Sequence, residues 1–247
     1  MCTVLLAWRC MDDATFVLAA NRDELVRRPS AAPGRLADSP PAFGGRDLVA
    51  GGTWLAVAPD GRVVAVTNRR EDDRDEVTRD PTLRSRGELP LRLLRESNGD
   101  SVAALHAVRP ADYNPFNVLL LTDDVALVGH GGGGEHLEVV ALQPGMHVLC
   151  VHDVDDSAHA KERHLKQHLH DAVHCERTAA AHIAVMLTTL TDHGSDITDP
   201  RDAACIHGET YGTVSASLVV GSAQGTVRYT HAAGRPCVTP FLQVALR

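Results

Sequence analysis

Cys2 offers the most direct chemistry in this chain, because removal of Met1 would leave one residue carrying both a thiol and a free α-amine. An α-amine titrates at about 7.7–8.0 and a thiol at about 8.5, so near neutrality a useful fraction of each is deprotonated and the amine can serve as base to its own nucleophile. Further along, Asn21-Arg22-Asp23-Glu24 groups an amide, a guanidinium and two carboxylates. A carboxylate beside Cys2 would orient the α-ammonium, and an arginine there would bind an anionic group or lower the thiol pKa. Taken singly, each has an ordinary reading: Cys2 as a buried strand residue, the quartet as a polar loop.

For these groups to meet, the first elements must fold back on one another. The apolar runs at residues 2–8 and 15–20, separated by Met11-Asp12-Asp13, predict two strands joined by a tight turn. That hairpin places residue 2 beside residues 20–23, with the quartet following the second strand. A polar loop rich in Pro and Ser is expected from there to about residue 42. Gly51-Gly52-Thr53-Trp54-Leu55-Ala56-Val57-Ala58, the turn Pro59-Asp60-Gly61, and residues 62–68 read as a hairpin that leaves Asn68 at a strand end. The dense mixed charge of residues 69–80 reads as a solvated loop rather than a lid.

Helices are expected over 86–97 and 99–107, with Pro110 closing the second, and strands at 116–122, 125–129, 137–142 and 146–151. Helical patterns return over 157–174 and 176–190, with Ser157 and Thr178 available near their starts, followed by strands near 214–220 and 226–231. Strands, helices and strands again predict an α+β fold with helices packed on sheet faces, and the lack of any linker predicts one domain over residues 1–247.

A hydrophobic content of 44% with 23% charged residues is that of an ordinary globular chain, and a net charge of -8 argues against a nucleic-acid partner. The first residues have no secretory pattern and no run is apolar enough to span a bilayer, which leaves a cytoplasmic location as the expectation. The six cysteines, at 2, 10, 150, 175, 205 and 237, form no CxxC pair, so neither a structural zinc site nor a disulfide framework is expected. His164/His168 and His170/His174 stand at the i, i+4 spacing that can hold a metal, but no neighbouring carboxylate or cysteine beyond Cys175 completes a ligand set. No metal and no cofactor are therefore assigned.

Cys2, Asn21-Arg22-Asp23-Glu24, Arg28-Pro29-Ser30, Gly51-Gly52-Thr53-Trp54-Leu55, Thr67-Asn68, Arg86-Gly87-Glu88-Leu89 and Tyr113-Asn114-Pro115-Phe116-Asn117, taken in series, resemble the NRDE family. That family includes the transport and Golgi organisation protein 2 of animals. The resemblance implies the four-layer αββα fold of N-terminal nucleophile hydrolases, because the family's start is similar to that of cysteine-type acylases acting on bile salts and penicillin V. By the same resemblance Cys2 matches the nucleophile, Asp23 the amine-orienting carboxylate and Asn68 an oxyanion-stabilising side chain. Asn21, Arg22, Trp54 and Asn117 are the candidates for substrate binding, and the implied reaction is hydrolysis of a linear amide in a small-molecule substrate.

The sequence also departs from the pattern. Ala20 stands where the acylases have an arginine, Leu149-Cys150-Val151 replaces Leu-Ser-Asn, and Tyr211-Gly212-Thr213-Val214 replaces Tyr-Gly-Thr-Arg. These departures, together with the involvement in haem handling and lipid metabolism that the family resemblance implies, motivate an alternative, a non-catalytic binding or trafficking protein whose pocket holds haem or a lipid-like ligand, with Cys2 and the histidine-rich helix as candidate haem contacts.

Overall fold

The computed structural model of the chain describes residues 2–70, 79–97, 99–132, 134–172, 177–194 and 199–247. The chain begins with β1 (Thr3–Trp8) and β2 (Ala14–Leu25), continues through β3 (Ser30–Asp38), β4 (Pro41–Asp47), β5 (Leu55–Val57) and β6 (Val63–Asn68), then forms α1 (Leu89–Glu96) and α2 (Ser101–His106). Strands β7 (Phe116–Leu121), β8 (Ala126–Gly131), β9 (Glu138–Ala141) and β10 (Gly145–Leu149) follow, then α3 (Ala160–Ala172), α4 (Ala179–Leu190), β11 (Tyr211–Ser222), β12 (Val227–Ala232) and β13 (Leu242–Gln243). Two compact units result, one of residues 1–28, 143–150 and 154–245, the other of 29–142, 151–153 and 246–247.

The first unit is built on a six-stranded antiparallel sheet in the order β10-β1-β2-β11-β12-β13. Every residue of β1 is buried, which is why that stretch reads as an unbroken apolar run rather than an alternation. Leu5, Ala7, Val17 and Ala19 pack with Leu165 and Leu169 of α3 and with Met186 and Leu190 of α4. Thr178 caps α4 by accepting the Ala181 N–H, as its position in the sequence suggests.

The second unit is a seven-stranded antiparallel meander, β3 through β9 in chain order. Leu89, Leu93 and Leu94 of α1 pack with Val64, Val66, Phe116, Val118 and Leu120 of the sheet. Its glycine motifs are explained by close approach of backbones: a Cβ on Gly52 would stand 2.4 Å from the Gly87 carbonyl carbon, and the Thr53 N–H donates to Gly87 O at 2.8 Å. Tyr113 Oη donates to Glu88 Oε1 at 2.6 Å, and Arg86 Nη1 donates to Pro115 O at 2.7 Å. Three of the motifs that carry the family resemblance thus hold one another in place.

The expected polar loop before residue 42 is instead the hairpin β3–β4. Strand β3 is a sheet edge, its side chains are mostly half-buried or exposed, and a register shift between Ala31 and Gly34 accommodates Pro33. The mixed-charge segment expected to be a solvated loop lies, over residues 71–78, outside the described residues. No helix among the described residues is long and apolar enough to cross a membrane.

Candidate active site

Asn21-Arg22-Asp23-Glu24 does not follow the second strand but lies within it, since β2 runs on to Leu25. The polar quartet remains in strand because β11 pairs with it along its length, Ala216 opposite Asn21, Ser215 opposite Arg22 and Thr213 opposite Asp23. Side chains alternate along a strand. Asn21 and Asp23 share the parity of Val17 and Ala19, which face the helices, so Arg22 and Glu24 take the opposite face. Val214 is the extra residue of a bulge in β11, between Thr213 and Ser215.

Asn21 is buried, and its Nδ2 donates to Leu190 O at 2.9 Å and to Ala204 O at 2.8 Å. It ties β2 to the last turn of α4 and to the segment ahead of β11, so its amide nitrogen is committed to the scaffold.

Asp23 is held from three sides. Thr213 Oγ1 donates to its Oδ1 at 2.6 Å, Lys161 Nζ lies 3.8 Å from its Oδ2, and Tyr211 Oη donates to its backbone carbonyl at 3.1 Å. The Thr213 hydroxyl in turn accepts the Ile206 N–H at 2.9 Å. Burial pushes the Asp23 carboxyl above the usual carboxylate range, while Lys161, Thr213 and Arg22 pull it back down. Lys161 is itself 3% exposed, and its neighbour Glu162 is fully buried.

Cys2 is half-buried, and the Thr3–Asn21 pairing sets it across from Arg22, one step from Asp23. Burial raises its thiol pKa and the Asp23 charge acts the same way, whereas a hydrogen bond from the Asp23 backbone and the charge of Arg22 lower it. Arg22 is 5% exposed and pairs with Glu24 at 3.7 Å, which also meets Arg28 at 3.6 Å. The first unit therefore brings together Cys2, Asn21, Arg22 and Asp23.

Asn68, Trp54 and Asn117 belong to the second unit. Asn68 is exposed at the end of β6, opposite Phe116. Trp54 is half-buried, with its indole lying where a Cβ on Gly45 would be 2.3 Å away. Asn117 is fully buried: its Nδ2 donates to His152 O at 2.9 Å, and its Oδ1 accepts from Arg69 Nη1 at 3.2 Å and faces His130 Nδ1 at 2.8 Å. Arg69 also pairs with Asp153. Burial, reinforced by the Arg69 charge, depresses the His130 pKa to about 4, although Asp153 opposes this. Val151, where the resemblance leads one to expect asparagine, is buried and its carbonyl accepts the Arg70 N–H at 2.7 Å.

Sequence reasoning missed Thr213, Tyr211, Lys161 and Glu162. Lys161 did leave a signal, being one of only two lysines in a chain otherwise supplied with arginine, at the start of a predicted helix. Nothing in the spacing of Thr213 announced a partner so distant in the chain. Among the histidines, His164 Nε2 meets Asp192 Oδ2 at 2.7 Å, and the His168 ring lies 4.2 Å from that of His164.

Known proteins share this arrangement of chain. The overall fold is similar to that of a Caenorhabditis elegans N-acylethanolamine-hydrolyzing acid amidase ortholog, with a TM-score of 0.54 at 11% identity, covering 88% of this chain and 92% of that one. The fold is thus α+β of the N-terminal nucleophile hydrolase type. In sequence, the chain is 28% identical over 240 residues to the mouse transport and Golgi organization 2 homolog, covering 87% of this chain and 84% of the mouse protein. It is 27% identical over 242 residues to the human homolog, with the same two coverages of 87% and 84%. The family description "Transport and Golgi organisation 2" fits residues 1–233, which include Cys2, the β2 quartet and the motifs around Gly52 and Gly87. The chain belongs to the transport and Golgi organisation 2 family.

Proposed function

We propose that this protein is an N-terminal cysteine amidohydrolase acting on a linear amide. The observation that carries the reading is the strand pairing that sets Cys2 one step from Asp23, whose carboxylate is fixed by Thr213 and Lys161. After removal of Met1, the Asp23 carboxylate orients the neutral α-amine of Cys2 by accepting one of its hydrogens. The amine takes the thiol proton, the sulfur adds to the amide carbonyl, and the proton passes to the leaving amine as the carbon–nitrogen bond breaks. Water then cleaves the thioester, releasing the carboxylic acid and restoring the thiol. Backbone N–H groups are assigned to the oxyanion, where one donor is worth about 3 kcal/mol. Arg22, on the face of β2 opposite the helices, is assigned to the substrate's acyl or polar end.

The test is intact-mass measurement of the protein from its own host, followed by turnover of a series of N-acyl aminocoumarins. Loss of Met1, release of the fluorophore and its abolition in Cys2→Ala are expected. Retention of Met1, or undiminished turnover in Cys2→Ala, would sink the proposal.

A second reading is a non-catalytic pocket for haem or a lipid-like ligand. The raised thiol pKa of Cys2 favours it, because a protonated thiol is a poor nucleophile. Haem titration separates the two readings: a shifted Soret band that Cys2→Ala removes supports binding, and an unchanged spectrum at micromolar haem eliminates haem as the ligand.

A further inference from the structure

Four metal-binding side chains from three separate segments converge in the first unit. His193 follows α4, Cys205 and His207 flank Ile206 ahead of β11, and Cys237 lies beyond β12. One ligand atom from each lies within 4.8 Å of all the others. Cys205 Sγ and Cys237 Sγ are 3.7 Å apart, and His207 Nε2 is 3.3 Å from Cys237 Sγ. The rings of His193 and His207 meet nearly edge to face, with centroids 4.6 Å apart.

The sulfur separation discriminates between two explanations of a cysteine pair. A disulfide bond is about 2.04 Å long, so these sulfurs are not bonded to one another. Around a tetrahedral zinc, with Zn–S about 2.3 Å and Zn–N about 2.0–2.1 Å, two sulfurs stand about 3.8 Å apart and a sulfur and a nitrogen about 3.6 Å apart. The Cys205–Cys237 and His207–Cys237 separations fall within a few tenths of an ångström of those edges, and the other ligand atoms lie within 4.8 Å of one another. Other candidate clusters are weaker. His164, His168 and Asp192 supply three ligands, and both Asp192 oxygens already accept hydrogen bonds, one from His164 at 2.7 Å and one from the Gly194 N–H at 3.1 Å. Cys10 and His182, at 3.6 Å, form only a pair.

We propose that His193, Cys205, His207 and Cys237 bind one zinc ion in a closed tetrahedral site. Two thiols lose their protons to solvent as the ion binds, and the two imidazoles bind neutral, so the Zn²⁺ charge is balanced by two thiolates. Four protein ligands leave no open position, which makes the site structural rather than catalytic. The ion would cross-link the end of α4, the approach to β11 and the segment after β12. Ile206, held between two of the ligands, donates its N–H to the Thr213 hydroxyl that fixes Asp23. The absence of a CxxC pair in the sequence follows from ligands drawn from three segments.

Protein purified with a thiol reductant and no chelator, then analysed for metals, tests this. One zinc per chain is expected. Substitution with Co²⁺ should give the visible bands and thiolate charge-transfer absorption of tetrahedral S₂N₂ cobalt. Zinc should raise the Tm of the metal-free protein by on the order of 5 °C. His207→Ala, at an exposed position, and Cys237→Ser should weaken zinc binding by more than the 10–100-fold that loss of an outer-shell partner costs, with circular dichroism showing each variant folded. His164→Ala should bind zinc as the unaltered protein does. The proposal is overturned if reduced protein takes up neither zinc nor cobalt, if His207→Ala and Cys237→Ser keep full affinity, if the ion depends on His164, or if peptide mapping shows a Cys205–Cys237 disulfide that persists under the reductant.

Discussion

The Thr213 hydroxyl donates its proton to the Asp23 carboxylate. Its oxygen accepts the Ile206 N–H at 2.9 Å and lies 2.6 Å from Asp23 Oδ1, so the hydroxyl hydrogen points at the carboxylate. Asp23 is thereby held as an acceptor, the role that orienting a terminal amine requires. Thr213→Val keeps the side-chain shape but strips a partner from both Ile206 N–H and Asp23. A loss of about 2–4 kcal/mol in urea unfolding is expected, with Thr213→Ser close to the unaltered protein.

Lys161 and Asp23 form a buried ion pair at 3.8 Å. Breaking such a pair from one side strands a charge, so Lys161→Met should cost about 3–5 kcal/mol. Adding Asp23→Asn removes the stranded carboxylate, and the double variant should be more stable than the sum of the two single changes implies. Strict additivity in a double-mutant cycle would show that the two groups do not interact.

The thiol of Cys2 should titrate above the ordinary thiol value, since burial and the Asp23 charge both favour its neutral form. Alkylation by iodoacetamide, followed against pH and read at Cys2 by peptide mass, should therefore reach its half-maximal rate above about pH 8.5. In Asp23→Asn that midpoint should move down, because the carboxylate's repulsion of the thiolate is gone.

Acid should destabilise the protein through two buried histidines. Burial lowers the pKa of His231 to about 4, and that of His130 to about 4 with help from Arg69. Between that value and the unfolded value of about 6.5, the unfolded chain binds the extra proton. The stability these groups permit is therefore full above pH 6.5 or so and declines as pH falls towards 4, by about 3 kcal/mol for His231. Urea titrations at intervals across that window should show the decline, and His231→Gln should flatten it.

Gly52 has no room for a side chain against Gly87, with a Cβ brought to 2.4 Å of backbone. Gly52→Ala should lower stability by about 1–3 kcal/mol. Gly51→Ala differs in mechanism: nothing lies within 4 Å, and its cost comes from a φ of +76° that only glycine adopts freely.

Local pattern disclosed most of the framework. The apolar runs that became β1, β7 and β11, the capped start of α4 and the hairpin around Gly61 all announce themselves within a few residues. Strand β3 was hidden because an edge strand containing Pro33 has neither buried alternation nor a clean hydrogen-bonding register. The end of β2 was misjudged for a related reason: polar residues look like a loop unless the partner strand, here β11, is known. Cys2 and Asp23 were legible as candidates, because motif order carries information. Thr213 and Lys161 were not, because what makes them matter is a distance to Asp23 that only the folded chain defines. The cluster of His193, Cys205, His207 and Cys237 was invisible for the same reason.

Strand β1 lies between β10 and β2, hydrogen-bonded on both sides and buried throughout. Chain ends ordinarily fray and exchange their amide protons fast. Here the backbone amides of residues 3–8 should be among the slowest to exchange in the protein, protected until the whole sheet of the first unit opens. Residue 2 is thus anchored, one peptide bond away, to a strand paired on both edges, and deuterium uptake near the N-terminus becomes a direct gauge of how firmly its backbone is held.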